Sequence, residues 1–266
     1  MQVYRDLPIL TNQSGYPTHL VAIWPLSHEA SVAEYQRLAH ETIDEILARG
    51  RTPVVVGGTG LYLRAALSDL ELPPPPPPGA RERWDRAYER LGPERAHALL
   101  AERDPEAAAA VHANDRRRIV RALELAEAGS SLRPDVNRLW AAEMRHPTVV
   151  IGLDVPGDVL ERRIEERART MFAAGAEEEV RRALAQPISS TARYVHGLRD
   201  VAELPPEEAI EALVRRTRRY AAYQRRWLRR VPGVVSVNAD RPPGDVADEI
   251  VEVARARQRL PARRAG

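Results

Sequence analysis

Cysteine and lysine are both missing from this 266-residue chain, so all 40 of its basic residues are arginine. Without cysteine there is no disulfide, no thiolate nucleophile and no cysteine-bound zinc. Without lysine there is no Schiff base, and no lysine to hold the β- and γ-phosphates of a nucleotide. Apolar runs stay well below the roughly 20 residues of a membrane span, and the first ten residues have no signal-peptide pattern. We therefore expect a cytoplasmic protein with no membrane segment.

Arginine is concentrated in three parts of the chain. Eight arginines and no acid lie between residues 215 and 230, and five more follow Glu252. A third group stands directly after Asp115 and consists of Arg116, Arg117, Arg118 and Arg121. The forked, permanently charged guanidinium group suits phosphate recognition. Because the net charge is only +2, a solvated helix face fits these clusters equally well, and charge alone leaves both interpretations open.

The first 70 residues carry the pattern of a parallel sheet with crossover helices. Residues 19–26 have the composition of a short buried strand, and a helix is predicted from an N-cap at Ser31 to a stop at Gly50. Residues 53–56 form a continuous apolar run, typical of a strand covered on both faces. A glycine-rich turn at 57–60 then leads into a second helix. This order predicts an α/β fold.

An unbroken proline run at residues 73–78 must be extended and marks a boundary. Residues 79–128 show only helical patterns, with Asn114 as a candidate cap for the last helix and Gly129 as its predicted end. Residues 130–146 are irregular, with room for one short helix.

Strand patterns return in the second half of the chain. Strands are predicted at 148–155 and 233–238, and helices at 156–174, 176–185, 191–202, 207–229 and 245–257. We therefore predict an α/β core formed by residues 1–78 and 146–266, and a helical insertion formed by residues 79–145.

The turn at residues 57–60 is the first candidate for chemistry. A glycine pair after a strand lets the backbone approach a ligand closely, at a helix N-terminus that favours anions. Thr59 would present its hydroxyl at the carboxyl end of the strand, where open α/β sheets bind ligands. The spacing is not that of a P-loop. By itself, the pattern is more typical of a tight turn that needs glycine.

Several motifs, taken in order, resemble the tRNA dimethylallyltransferase family. The similar segments in the first half are the opening MQVYR, residues 54–67 (VVVGGTGLYLRAAL) and residues 114–124 (NDRRRIVRALE). Those in the second half are residues 160–180, Thr191 with Gly197, and residues 217–227 (TRRYAAYQRRW). The resemblance covers nearly the whole chain, and each motif stands in the family's order.

The resemblance implies transfer of a dimethylallyl group from dimethylallyl diphosphate to N6 of adenosine 37, beside the anticodon of tRNA. The amine must lose a proton as it attacks the allylic carbon, which calls for a general base. The leaving diphosphate calls for a cradle of backbone amides, a cation and Mg²⁺. It also implies a P-loop-NTPase-like parallel sheet flanked by helices, an inserted helical domain, and a monomer that binds the tRNA anticodon stem-loop.

In the family, the base is the aspartate of an Asp-Ser-Met-Gln segment whose methionine aligns with Met1. We therefore expect the base, the P-loop, the first strand and the first helix to be missing from the chain as written. Either an internal methionine was taken as the start or the gene has lost its 5′ end, and the intact later motifs favour the first explanation. The alternatives to an active enzyme are a non-catalytic tRNA-binding remnant and an unstable fragment. The arginine-rich insertion disfavours a small-molecule P-loop kinase.

The resemblance also assigns individual residues. Thr59 is expected to contact the target adenine, and Met1 and Gln2 to belong to a loop that touches tRNA. Arg218 is the candidate for the diphosphate pocket, although Ala222 and Tyr223 stand where the family has Lys-Arg. The positions matched to the tRNA interface are Arg81, Arg117, Arg118 and Arg121, the last three largely on one helical face. The alternative for each arginine is a solvated helix residue.

The remaining polar residues favour structural roles. No metal-ligand spacing is shared by His19, His112, His146 and His196. Asp154 is either a ligand-facing residue or a helix N-cap. Glu178 and Glu179 are expected to face solvent. If residues 215–230 form a solvated basic helix, the residues that pack inward are Tyr220, Tyr223, Trp227 and Leu228.

Overall fold

Two short strands pair in parallel in the computed structural model, which describes residues 2–73, 77, 79–132 and 143–259. Strand β1 (Ile151–Asp154) lies beside β2 (Val235–Asn238), with Ile151 opposite Val235 and Asp154 opposite Asn238. The strands predicted at 148–155 and 233–238 are therefore confirmed, although each is shorter than expected. Parallel strands need a crossover connection, which here is helical, so the predicted α/β class is confirmed.

Helices make up most of the described chain. Six precede β1: α1 (Val32–Ala48), α2 (Gly60–Leu67), α3 (Ala80–Leu91), α4 (Pro93–Arg103), α5 (Pro105–Ala110) and α6 (Arg116–Glu127). Between the strands lie α7 (Gly157–Ala173), α8 (Ala176–Leu184), a 3-10 turn (Ala192–Tyr194), α9 (Leu198–Glu203) and α10 (Pro206–Leu228). Helix α11 (Pro243–Arg259) follows β2. Among the described residues, no helix combines the length and the apolar composition that crossing a membrane requires.

The ends of α1 are those that the sequence predicts. The Ser31 hydroxyl accepts a hydrogen bond of 3.1 Å from the backbone N–H of Glu34, as an N-cap does. At the other end, Gly50 adopts a φ of 68°. Its N–H donates to the carbonyl of Leu47, and the N–H of Arg51 donates to that of Ile46. This is the Schellman arrangement that a glycine stop predicts.

Helix α6 begins one residue later than its candidate cap suggested. The Asp115 carboxylate, not Asn114, accepts from the backbone N–H of Arg118, at 3.2 Å. A carboxylate at this position also interacts favourably with the helix dipole, which the Asn114 amide does not do. Gly129, with a φ of 71°, ends the helix as predicted. Most of the irregular segment 130–146 lies outside the described residues.

Residues 53–56 do not form the predicted strand. Val54 and Val56 are 81% and 87% exposed instead of covered on both faces. A strand exists only where a neighbouring backbone completes its hydrogen-bond ladder. Within the described residues, no backbone segment pairs with 53–56. The apolar run therefore has the composition of a buried strand but not the pairing.

The strand predicted at residues 19–26 is also wrong. A single parallel bridge joins Trp24 to Tyr4, and the N–H of Trp24 donates to the carbonyl of Val3 at 2.9 Å. Leu20 and Ala22 have φ values of 62° and 55°, in the left-handed region that a strand cannot adopt. The backbone therefore turns before Trp24 and pairs at one position only.

The helix predicted at 191–202 is interrupted at Gly197. Its φ of 82° lies in the left-handed region, which favours glycine. A Cβ there would lie 2.7 Å from Cδ1 of Leu213 on α10. The break therefore lets α9 pack closely against α10.

Two compact units make up the chain. One contains Met1–Ala30, Tyr35–Ser68 and Ala142–Gly266, and the other contains Ser31–Glu34 and Asp69–Ala141. The first has an apolar cluster that joins the start of the chain to α8 and α9, including Tyr4, Leu26, Val180 and Leu198. The second packs α3 to α6 around buried residues such as Leu100, Ile119 and Leu123. Compact packing does not establish independently folding domains, so the predicted domain division stays a prediction.

Candidate active site

The glycine-rich turn places Thr59 at the N-terminus of α2, directly before the first helical residue, Gly60. Thr59 is the N-cap of α2, with an extended backbone (φ −104°, ψ 108°), yet its side chain makes no capping hydrogen bond. Its Oγ1 lies 2.7 Å from the hydroxyl of Tyr220 on α10. The side chain of Thr59 therefore forms its hydrogen bond with α10 and not with the backbone of α2.

The residue before Thr59 is held by the same helix. Nε2 of Gln224 donates to the carbonyl of Gly58 at 3.0 Å. A Cβ at position 58 would overlap Nε2 of Gln224 and lie 3.1 Å from its Cδ. Glycine therefore leaves room for this hydrogen bond, and a larger residue would displace the flexible Gln224 side chain from the turn.

A buried histidine lies beside Tyr220. Nε2 of His196 is 3.1 Å from Oγ1 of Thr217, and that hydroxyl donates its only proton to the carbonyl of Leu213. His196 must therefore be the donor, with its proton on Nε2. Burial holds the pKa of His196 below its ordinary value, and the charge of Arg216 lowers it further, while Asp200 opposes this. The ring is neutral and fits its predicted structural role.

Arg218 lies on the side of α10 that faces α7. It is 41% exposed in its side chain and binds Glu165 of α7 at 2.6 Å, with Glu161 at 3.8 Å. A diphosphate would have to compete with these two carboxylates. The diphosphate role of Arg218 stays a prediction.

Two of the four arginines assigned to tRNA hold a buried carboxylate. Glu124 of α6 is fully buried, and Arg81 binds both of its oxygens at 2.7 and 3.1 Å. Arg121 reaches the same carboxylate at 3.0 Å. A buried carboxylate needs such partners, so these arginines have a structural task in the fold whatever else they bind.

The other two arginines lie on the exposed surface of α6. Arg117 is exposed. Arg118 is exposed as well, and its Nε lies 3.5 Å from the carboxylate of Asp115. The structure therefore separates the predicted set: Arg117 and Arg118 face solvent, whereas Arg81 and Arg121 are turned to Glu124.

The opening segment forms an ordered loop. Nε2 of Gln2 donates to the carbonyls of Thr11 and Asn12 at 3.0 and 2.6 Å, so this side chain holds the loop. Met1 lies outside the described residues.

Glu179 contradicts the expectation that it faces solvent. It is 4% exposed, and its carboxylate accepts from the backbone N–H groups of Ile9 and Leu10 at 2.7 and 2.8 Å. Burial is tolerable because two amide donors replace water. The neighbouring Glu178 is exposed and pairs with Arg181, as expected.

The remaining candidates have local roles. His146 binds Asp44 at 3.0 Å, Nδ1 of His112 accepts from the N–H of Asn114, and His19 is exposed. Asp154 is exposed, and the N-cap of α7 is Pro156. The interpretation of Asp154 as a helix N-cap is therefore wrong. Over the described ranges, no three His, Asp or Glu side chains are grouped to hold a metal ion.

The sequence reasoning missed the part that α10 plays in the turn. The solvated-helix alternative for residues 215–230 has these aromatic residues packing inward; Trp227 is buried, but Tyr223 is 45% exposed and the Tyr220 hydroxyl reaches Thr59. A usable signal was present, because Tyr220 and Gln224 are four residues apart on a predicted helix and must share one face.

A family model described as IPP transferase matches residues 2–231, a span that includes both the turn and α10. The chain belongs to the IPP transferase family. The resemblance inferred from the ordered motifs is thereby confirmed.

Named relatives match this chain over most of its length. The tRNA dimethylallyltransferase of Corynebacterium jeikeium is 39% identical over 259 residues, which cover 91% of this chain and 82% of the relative. That of Streptomyces coelicolor is 43% identical over 247 residues, covering 88% and 78%. The solved full-length tRNA isopentenylpyrophosphate transferase of Bacillus halodurans is 32% identical with a TM-score of 0.65, covering 96% of this chain and 84% of that one.

Proposed function

We propose that this IPP transferase moves a dimethylallyl group from dimethylallyl diphosphate to N6 of adenosine 37 in tRNA, releasing diphosphate. The observation that carries the proposal is the position of the Thr59 hydroxyl. It makes no capping hydrogen bond to α2 and is held at the glycine-rich turn by a hydrogen bond with Tyr220. The names of the relatives, which act on tRNA, support the same reaction.

The reaction forms a bond between N6 and the allylic carbon while the bond from that carbon to the diphosphate oxygen breaks. The amine gives up one proton, and the diphosphate leaves with the electron pair. Thr59 would hold the adenine so that N6 faces the allylic carbon, because such orientation accounts for much of the rate of a two-substrate transfer. We do not assign the base that takes the proton, and Arg218 is the one residue that we propose for the diphosphate.

Mg²⁺ stays a proposal: among the described side chains no three His, Asp or Glu are grouped, but Mg²⁺ commonly takes only one or two carboxylates and completes its shell with water and substrate phosphates. We therefore route no step through a metal ion. Arg218 remains the proposed cation for the diphosphate, and it would have to leave Glu165 in order to bind it.

Recognition of tRNA is proposed to involve phosphate contacts from the helical insertion. Arg117 and Arg118 are the exposed pair on α6, and guanidinium groups suit phosphate oxygens. Arg81 and Arg121 would contribute mainly by holding Glu124 and thus the helix that carries the exposed pair. We place the reaction in the cytoplasm and assign it to the monomer.

Transfer can be tested with the purified chain, an anticodon stem-loop RNA and radiolabelled dimethylallyl diphosphate. We expect label in stem-loops with adenosine at position 37 and none when guanosine replaces it. Thr59→Val, which keeps the side-chain shape but removes the hydroxyl, should lower the rate by at least ten-fold. Stem-loop binding without any transfer would contradict the proposal and favour a non-catalytic tRNA-binding protein.

A further inference from the structure

Helix α10 holds the glycine-rich turn at two consecutive residues. Tyr220 contacts the Thr59 hydroxyl and Gln224, one helical turn further along, donates to the carbonyl of Gly58. We infer that Tyr220 is a positioning residue that fixes the Thr59 hydroxyl and directs its proton to the substrate base. The inference rests on the proposed function, because it concerns how Thr59 recognises the adenine.

The hydrogen bond to Tyr220 replaces a local one. A threonine at an N-cap ordinarily accepts from a backbone N–H in the first turn. Thr59 has the extended backbone of an N-cap but no such bond. When an N-cap residue at a predicted ligand site lacks its usual capping hydrogen bond, its side chain has a function other than ending the helix.

The ring of Tyr220 is itself held in place. The His196 ring lies 5.7 Å from it, centroid to centroid, at an angle of 45°. His196 is fixed by its hydrogen bond to Thr217, whose own proton goes to the carbonyl of Leu213. A chain of contacts within one unit therefore determines where the phenol oxygen stands.

The direction of the proton follows from acidity. Either hydroxyl could be the donor at this distance; because a phenol is the better donor and an alcohol the better acceptor, we assign the proton of this hydrogen bond to Tyr220 and the acceptor oxygen to Thr59. The proton of Thr59 is then left for another acceptor, since within the described chain its hydroxyl has no other hydrogen-bond partner. Thr59 accordingly offers a donor to whatever base enters the site.

This donor selects the base. Beside its N6 amine, adenine presents the ring nitrogen N1 as an acceptor, whereas guanine carries an N–H at N1. A donor from Thr59 therefore fits N1 of adenine, whereas guanine N1–H could bind only the remaining lone pair of the hydroxyl and would leave the Thr59 proton unpaired. Tyr220 would act on specificity through Thr59, without touching the base.

A double-mutant cycle separates this role from simple packing. Tyr220→Phe, Thr59→Val and the double variant are compared with wild type for kcat/KM of transfer and for the Kd of a labelled stem-loop. Tyr220→Phe should lower kcat/KM about three- to ten-fold, the size of one hydrogen bond, and should have no effect in the Thr59→Val background. Thr59→Ser, which restores a hydroxyl, should restore the sensitivity.

The control is Tyr16→Phe, which removes the hydroxyl of a tyrosine that is 83% exposed and should change neither quantity. Thermal melts of every variant verify folding. Losses that multiply in the double variant, or an equal loss in Tyr16→Phe, would overturn the inference. If the wild-type chain binds the stem-loop but transfers no dimethylallyl group, only the proposed function is contradicted, and the double-mutant cycle is then evaluated from the Kd values. If the wild-type chain neither binds the stem-loop nor transfers the group, the proposed function and the role of Tyr220 are both contradicted.

Discussion

The carboxylate of Glu124 is fully buried and binds the guanidinium of Arg81 through two hydrogen bonds of 2.7 and 3.1 Å. This pair joins α3 to α6 in the helical unit, and Arg121 completes it. An arginine that sequence similarity assigns to RNA therefore also stabilises the fold.

Arg81→Met should lower the free energy of unfolding by about 2–4 kcal/mol, because it removes one partner of a buried carboxylate. Arg83→Met is the matched control: Arg83 lies two residues on and pairs with the partly exposed Glu127. Its cost should be much smaller, because an exposed ion pair contributes little to stability. Urea unfolding followed by circular dichroism measures both, and equal costs would contradict the structural role of Arg81.

Glu179→Gln should loosen the loop that begins at Ile9. The glutamine keeps one acceptor oxygen but turns an NH₂ group toward a backbone N–H, leaving a buried donor unpaired. We expect a loss of about 2 kcal/mol and faster hydrogen exchange at the amides of Ile9 and Leu10. Glu178→Gln, on the exposed neighbour, should leave exchange there unchanged, and the idea fails if both variants behave alike.

Burial of His196 predicts that acid weakens the fold. Its pKa is lowered in the folded chain, chiefly by burial, whereas in the unfolded chain it is about 6.5. As the pH falls below that value, the unfolded state takes up a proton that the folded state does not, so stability is lost. The charged groups that act on it are Arg216, which lowers the pKa, and Asp200, which raises it.

His196→Gln tests this directly, because its Nε2 can still donate to Thr217. The free energy of unfolding of the variant should fall less than that of wild type between pH 7.5 and 5.5. His112→Gln, at an exposed site, should follow wild type. A variant that loses stability as steeply as wild type would assign the acid sensitivity to other groups.

Arg118→Gln should weaken binding of the anticodon stem-loop without changing stability. If Arg118 contacts one phosphate, the slope of log K against log salt should become shallower by about 0.7–0.9. Arg199→Gln, an exposed arginine of the other unit, should leave the slope unchanged. Fluorescence anisotropy over a salt series measures both slopes, and an unchanged slope for Arg118→Gln would remove it from the interface.

Helix boundaries were predictable because their signals are local. The Ser31 cap and the Gly50 and Gly129 stops act on backbone groups within a few residues. The same reasoning placed Thr59 at a turn before a helix. It could not foresee that the hydroxyl would bond to a residue 161 positions away.

What the sequence could not predict depends on distant partners. The apolar run at 53–56 resembles a strand, but pairing requires a neighbour that no local pattern specifies. Glu179 looked like any exposed helical acid, and its burial depends on two amides about 170 positions away. The resemblance assigns Arg81 to tRNA and ends one of its motifs on Glu124, but the sequence does not indicate that these two residues form an ion pair 43 positions apart.

The central claim is that this chain prenylates adenosine 37 through a site built at Thr59. The most direct test expresses the chain in a bacterial strain whose own tRNA dimethylallyltransferase gene is deleted, and analyses the tRNA nucleosides by mass spectrometry. We predict that N6-dimethylallyl adenosine, or a product derived from it, reappears with the wild-type chain and falls at least ten-fold with Thr59→Val at equal protein level. The absence of any prenylated adenosine with the wild-type chain, despite folded protein in the cell, would contradict the account.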